Sequence, residues 1–320
     1  MRATQLAVGL ASFIPGFNHL YRRDTGGTCS ARYCYSVWLR HLVLAREYGL
    51  ASLPKVVAEL GPGDSLGTGL AALLSGVERY YAFDVVKFAG NERNLQIFDE
   101  LIALFQARTP IPDDAEFPLV RPRIRSCAFP SHLLSEERLR AALEPQRLAR
   151  LRRAIMHTAD AQSEVRYAAP WFDSSTIERA TIDMIFSQAV LEHVDELDGT
   201  YRAMRQWLKP TGIMTHTIDF KSHGLAPAWN GHWGYSDFTW KLLRGKRPFL
   251  INREPHSTHV RKLEEAGFDV RLDERYSSAG GIGRELVSHR FENITEGDLG
   301  TSESFIVAMP RMMSKKLGSG

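Results

Sequence analysis

The 320-residue sequence contains little cysteine, no long apolar run and little net charge. Cys29, Cys34 and Cys127 cannot all pair and form no Cys-x-x-Cys motif, which argues against a disulfide scaffold and a structural zinc site and favours a reducing compartment. No apolar run approaches the roughly 18 residues that a membrane-spanning helix needs. The formal net charge is only +3, so the overall charge gives no reason to expect nucleic acid as a partner.

The amino terminus carries a short apolar stretch in which Arg2 is the sole basic residue and no small-residue cleavage site is visible. We therefore expect a helix packed on the domain rather than a signal peptide, with a helix lying on a membrane surface as the alternative. This predicts a cytoplasmic protein, with peripheral contact to the inner membrane surface as the second option. The final Gly318–Gly320 resembles an added linker and is left out of the fold prediction.

Strand and helix patterns alternate in the first half of the chain. Residues 30–50 have apolar side chains at three- and four-residue spacing, which predicts a helix. Val56–Leu60 then predicts a buried strand, residues 61–69 a glycine-rich turn leading into a helix that reaches Leu74, and Tyr80–Val85 a second strand. Together these segments predict a β-α-β unit.

Residues 88–162 interrupt this alternation and are predicted to be a helical insertion that caps the domain. Helices are expected at 91–106 and at 135–159, the second split by Pro145, with a proline-rich loop between them. The insertion also concentrates positive charge, because residues 121–153 hold nine arginines against three glutamates, a net +6, which leaves −3 for the rest. A solvated helix face is the default interpretation; a basic cap over an anionic acceptor is the sharper one.

The alternation resumes after the insertion. Strands are predicted at 164–169, 181–187, 213–220, before residue 276 and at 303–311, with helices at 197–208 and around 257–265, a turn at 209–212 and a long loop at 221–255. Strands that alternate with helices predict an α/β fold with a mostly parallel sheet, and the last two strands suit an antiparallel hairpin at one edge. The expected division is a helical extension at 1–53, one domain at 54–310 and a tail at 311–320.

Glycines at the end of the first strand mark a candidate nucleotide site. Gly61, Pro62 and Gly63 open a G-x-G-x-x-x-G turn, in which the backbone can turn sharply and a ligand can approach the main chain. Asp84, followed by Val85, lies near the end of the second strand, where a carboxylate can accept both ribose hydroxyls of an adenosine. This pairing predicts an adenosine-containing ligand.

Two acids in and before the turn distinguish between adenosine ligands. Glu59 suits a cationic ligand, whereas a diphosphate prefers a helix N-terminus free of acids and Asp64 lies inside the turn. The sequence also lacks the Tyr-x-x-x-Lys pair of short-chain dehydrogenases. S-adenosylmethionine is therefore favoured over NAD.

The sequence resembles the class I S-adenosylmethionine-dependent methyltransferase superfamily. The resemblance covers residues 56–87 and 164–309: VVAELGPGDSLG is similar to its first motif, YYAFDVV to its ribose-binding segment, and IDMIFSQAVLEHV with the helix ending in LKPTG to its fourth motif. It implies a Rossmann-like, seven-stranded sheet in the order 3-2-1-4-5-7-6 with strand 7 antiparallel. It also implies cofactor contacts at Ser187, Gln188 and Ala189. Many members carry an acid or amide just past the third strand, where it contacts the adenine amino group. Here that place holds Ala168–Asp173, so the adenine contact is expected from main chain, from Trp171 or from Asp173.

Residues 216–268, and SARYCYSVWLRHL at 30–42, resemble methyltransferases of bacterial surface-polysaccharide pathways. This resemblance implies O-methylation of a sugar or glycan, including acidic or lipid- and phosphate-linked ones. A small-molecule natural-product O-methyltransferase and a non-catalytic adenosine-binding partner subunit are the alternatives. Nucleic acid is an unlikely partner on the charge argument above.

An alcohol acceptor needs a group that removes its proton, and parallel sheets place such groups at the carboxyl ends of strands. His193, Asp219 and His223 follow the fourth and fifth strands and are the candidate catalytic residues. The candidate substrate contacts are His216, which also suits a core position, Trp233 in an aromatic cluster that suits either sugar stacking or a local core, and the pair Asn252 and Arg253. His216, Asp219 and His223 also carry metal-type donor atoms, but no metal is predicted, because their spacing suits a helix face and the first two lie in a strand.

Overall fold

The computed structural model describes residues 3–16, 27–171, 174–247 and 249–312. Its sheet has seven strands in the order β3-β2-β1-β4-β5-β7-β6, and β7 runs antiparallel to both of its neighbours. This confirms the predicted fold class, strand order and antiparallel hairpin. The strands are β1 Val56–Leu60, β2 Arg79–Phe83, β3 Val165–Ala168, β4 Ile182–Gln188, β5 Leu208–Asp219, β6 Phe268–Tyr276 and β7 Glu303–Pro310.

Helices cover both faces of the sheet. The α-helices of the described chain are α1 Ala3–Ala11, α2 Ala31–Glu47, α3 Gly67–Leu74, α4 Asn91–Gln106, α5 Glu136–Ala142, α6 Pro145–Met156, α7 Leu197–Trp207, α8 Asp237–Arg244, α9 His256–Glu265 and α10 Glu296–Gly300. Helices α2 to α6 pack on one face and α7 and α9 on the other. Successive β1 residues alternate between these two cores, Val57 facing one and Ala58 the other, as the two-residue period of a strand requires.

The insertion contributes to the core of the sheet face on which it lies. Phe98 and Phe105 of α4 and Leu151 of α6 are fully buried with the strand residues of that face. Pro145 begins α6, so the predicted split of this helix is confirmed, and Ser135 caps α5 by accepting the N–H of Arg138 at 3.3 Å.

The arginines of α6 lie away from the strand ends that carry the candidate site. Arg147 donates to the carbonyl of Val77, just before β2, at 2.8 Å, and Arg150 pairs with Glu164, just before β3, at 3.0 Å. Both are therefore at the amino-terminal edge of the sheet, opposite the carboxyl ends. Arg147 and Arg150 therefore bind local carbonyl and carboxylate oxygens away from the candidate site, and the basic cap over an anionic acceptor stays a hypothesis.

Two local predictions between residues 208 and 255 are wrong. The expected turn at 209–212 belongs to β5, which begins at Leu208 and pairs with Ile182 before its register shifts. The expected loop at 221–255 contains α8, whose Trp240 and Leu243 form a small core with Leu225 and Ile251. Trp240, expected in an aromatic loop cluster, is on the buried face of this short helix.

The amino-terminal helix α1 packs on α8. An added Cβ on Gly9 would meet the carbonyl oxygens of Leu242 and Leu243, at 2.3 and 2.4 Å, which shows how closely the two helices approach. The expectation that this segment packs on the domain is therefore confirmed for Ala3–Ala11. None of the helices in the described ranges has the length and apolar character that crossing a bilayer demands. The predicted tail beyond Met312 and residues 17–26 of the extension lie outside the described residues.

Candidate functional site

The glycine-rich turn follows β1 at the carboxyl edge of the sheet. Gly61 and Gly63 have φ of +61° and +74°, a region that side chains with a Cβ avoid. A Cβ on Gly61 would lie 2.6 Å from Cγ2 of Val190, which follows β4. Glycine at position 61 is thus required both for the backbone conformation and for the contact between the ends of β1 and β4. Pro62, between Gly61 and Gly63, is buried.

Glu59 lies beneath this turn rather than in it. The Tyr80 hydroxyl donates to its carboxylate, and the Thr68 side chain and the Gly69 backbone also hydrogen-bond it. Burial raises the pKa of Glu59 to about 8, although these hydrogen bonds oppose the shift. Glu59 therefore links α3 and β2 beneath the turn, and its contact with a cationic ligand stays a prediction.

Asp84 closes the other side of the turn. Its carboxylate accepts the N–H of Val85 at 2.7 Å and hydrogen-bonds the backbones of Val86 and Gly63. Burial raises the pKa of Asp84 to about 6, and these backbone bonds oppose the shift. A carboxylate offers about four acceptor positions, so the side chain has capacity left for a ribose hydroxyl. Val85 is 45% exposed beside it, in a position to cover an adenosine.

The side chains at the end of β4 are engaged with the chain itself. Ser187 Oγ lies 2.8 Å from His216 Nδ1, and Gln188 Oε1 lies 3.0 Å from His41 Nε2. Ala189 has a φ of +53°, which turns the backbone outward at the strand end. The Ser187 side chain links β4 to β5, and the Gln188 side chain links β4 to α2. The backbone groups at this strand end are therefore the ones that we expect to contact a cofactor.

The three candidate catalytic residues come together at the ends of β4 and β5. His223 Nε2 lies 3.4 Å from Asp219 Oδ2, and the rings of His193 and His223 are 5.1 Å apart between centroids. His193 ends the 3-10 turn Leu191–His193, and His223 adopts a φ of +46° in the loop after β5. A non-glycine residue in that region is held there by its surroundings.

Burial sets the protonation of this group. Burial and the neighbouring charge of His223 lower the pKa of His193 to about 4, so its ring is neutral at pH 7. Burial alone would raise the pKa of Asp219, but the His223 contact and Lys221 leave it below its usual value. The group thus combines an ionised carboxylate with a neutral imidazole, both able to accept a proton.

Four charged residues beside this group were missed by sequence reasoning. Lys221 Nζ bridges Asp219 and Glu303 at 3.2 and 3.0 Å, and Arg121 Nε lies 3.6 Å from Glu303. Glu192, directly before His193, is 2% exposed, and burial raises its pKa well above the usual range. Glu192 stood within the predicted fourth motif, but the partners from the insertion and from β7 carry no local signal.

Of the predicted substrate contacts, three are core residues. His216 is 1% exposed, and burial lowers its pKa to about 3. Trp233 is fully buried and donates its indole N–H to the Arg253 carbonyl at 2.9 Å. Arg253 is 2% exposed, donates to the Tyr235 carbonyl and the Asp237 carboxylate, and lies over the Trp240 ring. The protein itself thus occupies the donors expected to bind an acidic sugar.

Asn252 holds the turn that carries His193. Its side-chain amide donates to the carbonyls of Leu191 and Val194, both at 2.8 Å, and its backbone N–H donates to the Glu192 carbonyl at 2.6 Å. The residue therefore positions the site and does not face a substrate with its amide.

The adenine contact is only partly described. The Trp171 ring lies 5.7 Å from the ring of Phe83 and 5.3 Å from that of Trp207, and the Trp171 backbone N–H donates to the Asp84 carbonyl. Trp171 therefore lies beside Asp84, as stacking on the adenine of a ligand held there would require. Asp173, the other candidate, lies outside the described residues.

The donor set fits S-adenosylmethionine. The turn leaves the backbone at Gly61 and Gly63 free of side chains, and Asp84 retains acceptor capacity for a ribose hydroxyl. An open groove of about 710 Å³ borders the turn and is lined by Asp64, residues 87–93 and Gln96.

The sequence model of a family described as "Methyltransferase domain" matches residues 143–215, which run from the end of the insertion to β5. No curated protein matches the chain. This family match and the strand order support a methyltransferase fold with S-adenosylmethionine as its cofactor, as the sequence predicts.

Solved structures of methyltransferases resemble the chain at low identity. An S-adenosylmethionine-dependent methyltransferase from Mesorhizobium loti is 13% identical, with 83% of this chain and 96% of that chain covered and a TM-score of 0.41. A phosphoethanolamine N-methyltransferase of Haemonchus contortus, in complex with phosphomonomethylethanolamine and S-adenosylhomocysteine, is 14% identical, with 97% and 58% covered and a TM-score of 0.42. At these values the likenesses carry no information on substrate.

Proposed function

We propose that the chain transfers a methyl group from S-adenosylmethionine to a hydroxyl of a sugar or glycan. The observation that carries the proposal is the meeting of Asp219, His223 and His193 at the carboxyl ends of β4 and β5, next to the turn at Gly61–Gly63. When bound, the cofactor supplies an electrophilic methyl group. An alcohol attacks it well only as its proton leaves, and this group offers proton acceptors at the required edge of the sheet.

In this proposal the cofactor and the acceptor are bound by different strand ends of the sheet. Asp84 and the turn hold the adenosine part, while the Val190 contact with Gly61 ties that turn to the strand end that carries His193. Asp219 accepts the acceptor's proton directly or through His223, and Lys221 keeps that carboxylate ionised.

The preference for a sugar acceptor rests on the resemblance of residues 30–42 and 216–268 to polysaccharide-pathway methyltransferases. The aromatic cluster gives it less support than expected, because Trp233 and Trp240 are buried in the core, and only Trp229 and Tyr235 are partly exposed. Carboxylates and amines at the rim, from Glu303, Asp219 and Lys221, suit a polyhydroxylated acceptor that forms several hydrogen bonds.

Calorimetry with S-adenosylhomocysteine and with NADH tests the cofactor. We expect S-adenosylhomocysteine alone to bind, and Asp84→Asn to weaken it at least about tenfold, since a ribose hydroxyl loses its charged acceptor. Glu78→Gln is the matched control, because Glu78 lies at the opposite end of β2 in an exposed pair with Lys55. Binding of NADH but not of S-adenosylhomocysteine would overturn the proposal.

A labelled-methyl screen tests the acceptor class. Neutral and acidic glycans are incubated beside phenolic natural products with the protein and methyl-labelled cofactor. Label in a glycan, released as a methyl ether, supports the proposal. Label in the phenols alone points to the natural-product alternative, and cofactor binding without transfer to either class points to the non-catalytic one.

A further inference from the structure

Three potential metal ligands converge at the rim of the site. A carboxylate oxygen of Glu192, a ring nitrogen of His193 and a ring nitrogen of His223 all lie within 4.8 Å of one another. They come from two elements, the 3-10 turn after β4 and the loop after β5. Two imidazoles and one carboxylate form a donor set that binds divalent transition metals and leaves coordination positions open.

The burial of the Glu192 carboxylate is a second, independent observation that points to a metal ligand. Its side chain is 2% exposed, and among the described residues no side chain hydrogen-bonds its carboxylate oxygens, which meet only the backbone N–H groups of Glu192 itself and Asp219. The Nδ1 of the adjacent His193 is also buried without a partner in that part of the chain. A buried carboxylate without a side-chain partner is costly, and proteins normally supply it with a donor side chain, a counter-ion or a metal.

The charges around this cluster leave room for a cation. The carboxylates of Glu192, Asp219 and Glu303 face two cations, Lys221 and Arg121, and the cations are drawn toward Glu303 and Asp219. Lys221 and Arg121 thus pair with Asp219 and Glu303. A divalent ion would be the corresponding partner of Glu192.

Outer contacts orient the ligands. Asp219 Oδ2 lies 3.4 Å from His223 Nε2, and the ring of His193 also hydrogen-bonds the backbone of Phe249. Asn252 fixes the turn that carries Glu192 and His193. Hydrogen-bonded second partners of this kind are characteristic of histidines that bind metals, because they fix the ring orientation and the tautomer.

We propose that Glu192, His193 and His223 bind a divalent transition-metal ion. Its role rests on the proposed function: the open positions would take the acceptor's oxygen atoms and lower the pKa of the hydroxyl that is methylated. In the metal-loaded protein the two imidazoles are ligands, and Asp219 is the remaining proton acceptor.

Metal binding is measured on the full chain after treatment with EDTA and dialysis. Mn²⁺ is titrated while the free ion is followed by its electron paramagnetic resonance signal. We expect one Mn²⁺ per chain, and at least about tenfold weaker binding in Glu192→Gln and in His223→Ala, since each removes a ligand. The control is His289→Ala, which removes the histidine of an exposed His–Glu pair, 3.6 Å from Glu292, and should bind as the parent does.

Thermal unfolding supplies a second readout. Without metal, Glu192→Gln should unfold at the same or a higher temperature than the parent, since a buried amide replaces an ionisable carboxylate that is costly to bury. With Mn²⁺, the parent should gain stability and Glu192→Gln should not. Equal Mn²⁺ binding and equal stabilisation in parent, Glu192→Gln and His223→Ala would overturn the inference, as would no binding to the parent. S-adenosylhomocysteine binding by the same samples distinguishes the failures, because its loss contradicts the methyltransferase and its retention without metal contradicts the metal site alone.

Discussion

The carbonyl oxygen of Glu192 accepts a 2.6 Å hydrogen bond from the backbone N–H of Asn252. The Asn252 amide group adds two bonds, to the carbonyls of Leu191 and Val194, and its side-chain oxygen accepts the N–H of Glu254. A segment distant in sequence thus supplies the backbone partners of a 3-10 turn that has few of its own. The 3-10 turn Leu191–His193 is therefore held in place by Asn252, in the segment just before α9.

Replacing Asn252 by alanine should loosen this turn. Two carbonyls would lose their donors, and we expect the free energy of unfolding to fall by about 1 to 3 kcal/mol. Turnover should fall as well, because His193 loses its support, whereas S-adenosylhomocysteine affinity should change little. Urea unfolding and steady-state kinetics measure both. The control is Asn91→Ala, which removes one exposed 3.4 Å bond to Met156 at the start of α4. Equal effects from the two substitutions would contradict the positioning role of Asn252.

Replacing Gly61 by alanine should damage the cofactor turn. The new Cβ would have a φ of +61° and lie 2.6 Å from Val190, so we expect a loss of about 1 to 3 kcal/mol and weaker S-adenosylhomocysteine binding. Gly199→Ala is the control, because no heavy atom lies within 4 Å of its Cβ position and it lies in helix α7, away from the turn. Unfolding midpoints and calorimetry compare the two. A Gly61→Ala protein that binds the cofactor as well as Gly199→Ala does would show that the strand ends can move apart.

The parts of the structure that could be predicted are those encoded by local periodicity. Val56–Leu60 and the helix at 91–106 were expected at their observed bounds, because a two-residue or a 3.6-residue period needs no tertiary information. Asp84 could be found as well, since the end of the second strand in this fold is a fixed position. Helix α8 was missed because its eight residues contain too few periods to stand out beside prolines and glycines.

The environment of a side chain could not be predicted from its type. Arg253 and Trp233 have the right chemistry for a sugar, but the fold buries both, and only the packed structure shows that Tyr235 and Asp237 take the guanidinium. Glu192 shows the reverse. An acid in a turn is ordinarily solvated, and its burial against His193 and His223 results from contacts made by distant segments.

Removing the proton acceptors should lower turnover without affecting the cofactor. Asp219→Asn and His223→Ala are each expected to cut kcat at least about tenfold and to leave S-adenosylhomocysteine affinity intact, since neither side chain contacts the glycine turn. Labelled-methyl transfer to the acceptor found by screening measures kcat, and calorimetry measures affinity. His157→Ala is the control, because its ring bonds the Arg153 carbonyl at the end of α6, away from this edge. Unchanged kcat in both site variants would remove the pair from the mechanism.

The buried His259 should make the protein less stable in acid. Its Nδ1 lies 2.9 Å from the Tyr201 hydroxyl, and burial lowers its pKa to about 3, against an unfolded value near 6.5. Between these values the unfolded chain binds the proton and the folded chain does not, so stability falls as the pH drops through this window, by up to about 1.4 kcal/mol per pH unit. His259→Gln removes the titrating group. Its destabilisation relative to the parent should therefore shrink by about 2 kcal/mol between pH 7.5 and pH 4.5 in urea unfolding. Tyr201→Phe breaks the same hydrogen bond but keeps the histidine, so its destabilisation should not shrink in this way. If His259→Gln and Tyr201→Phe respond to pH alike, protonation of His259 is not what destabilises the fold in acid.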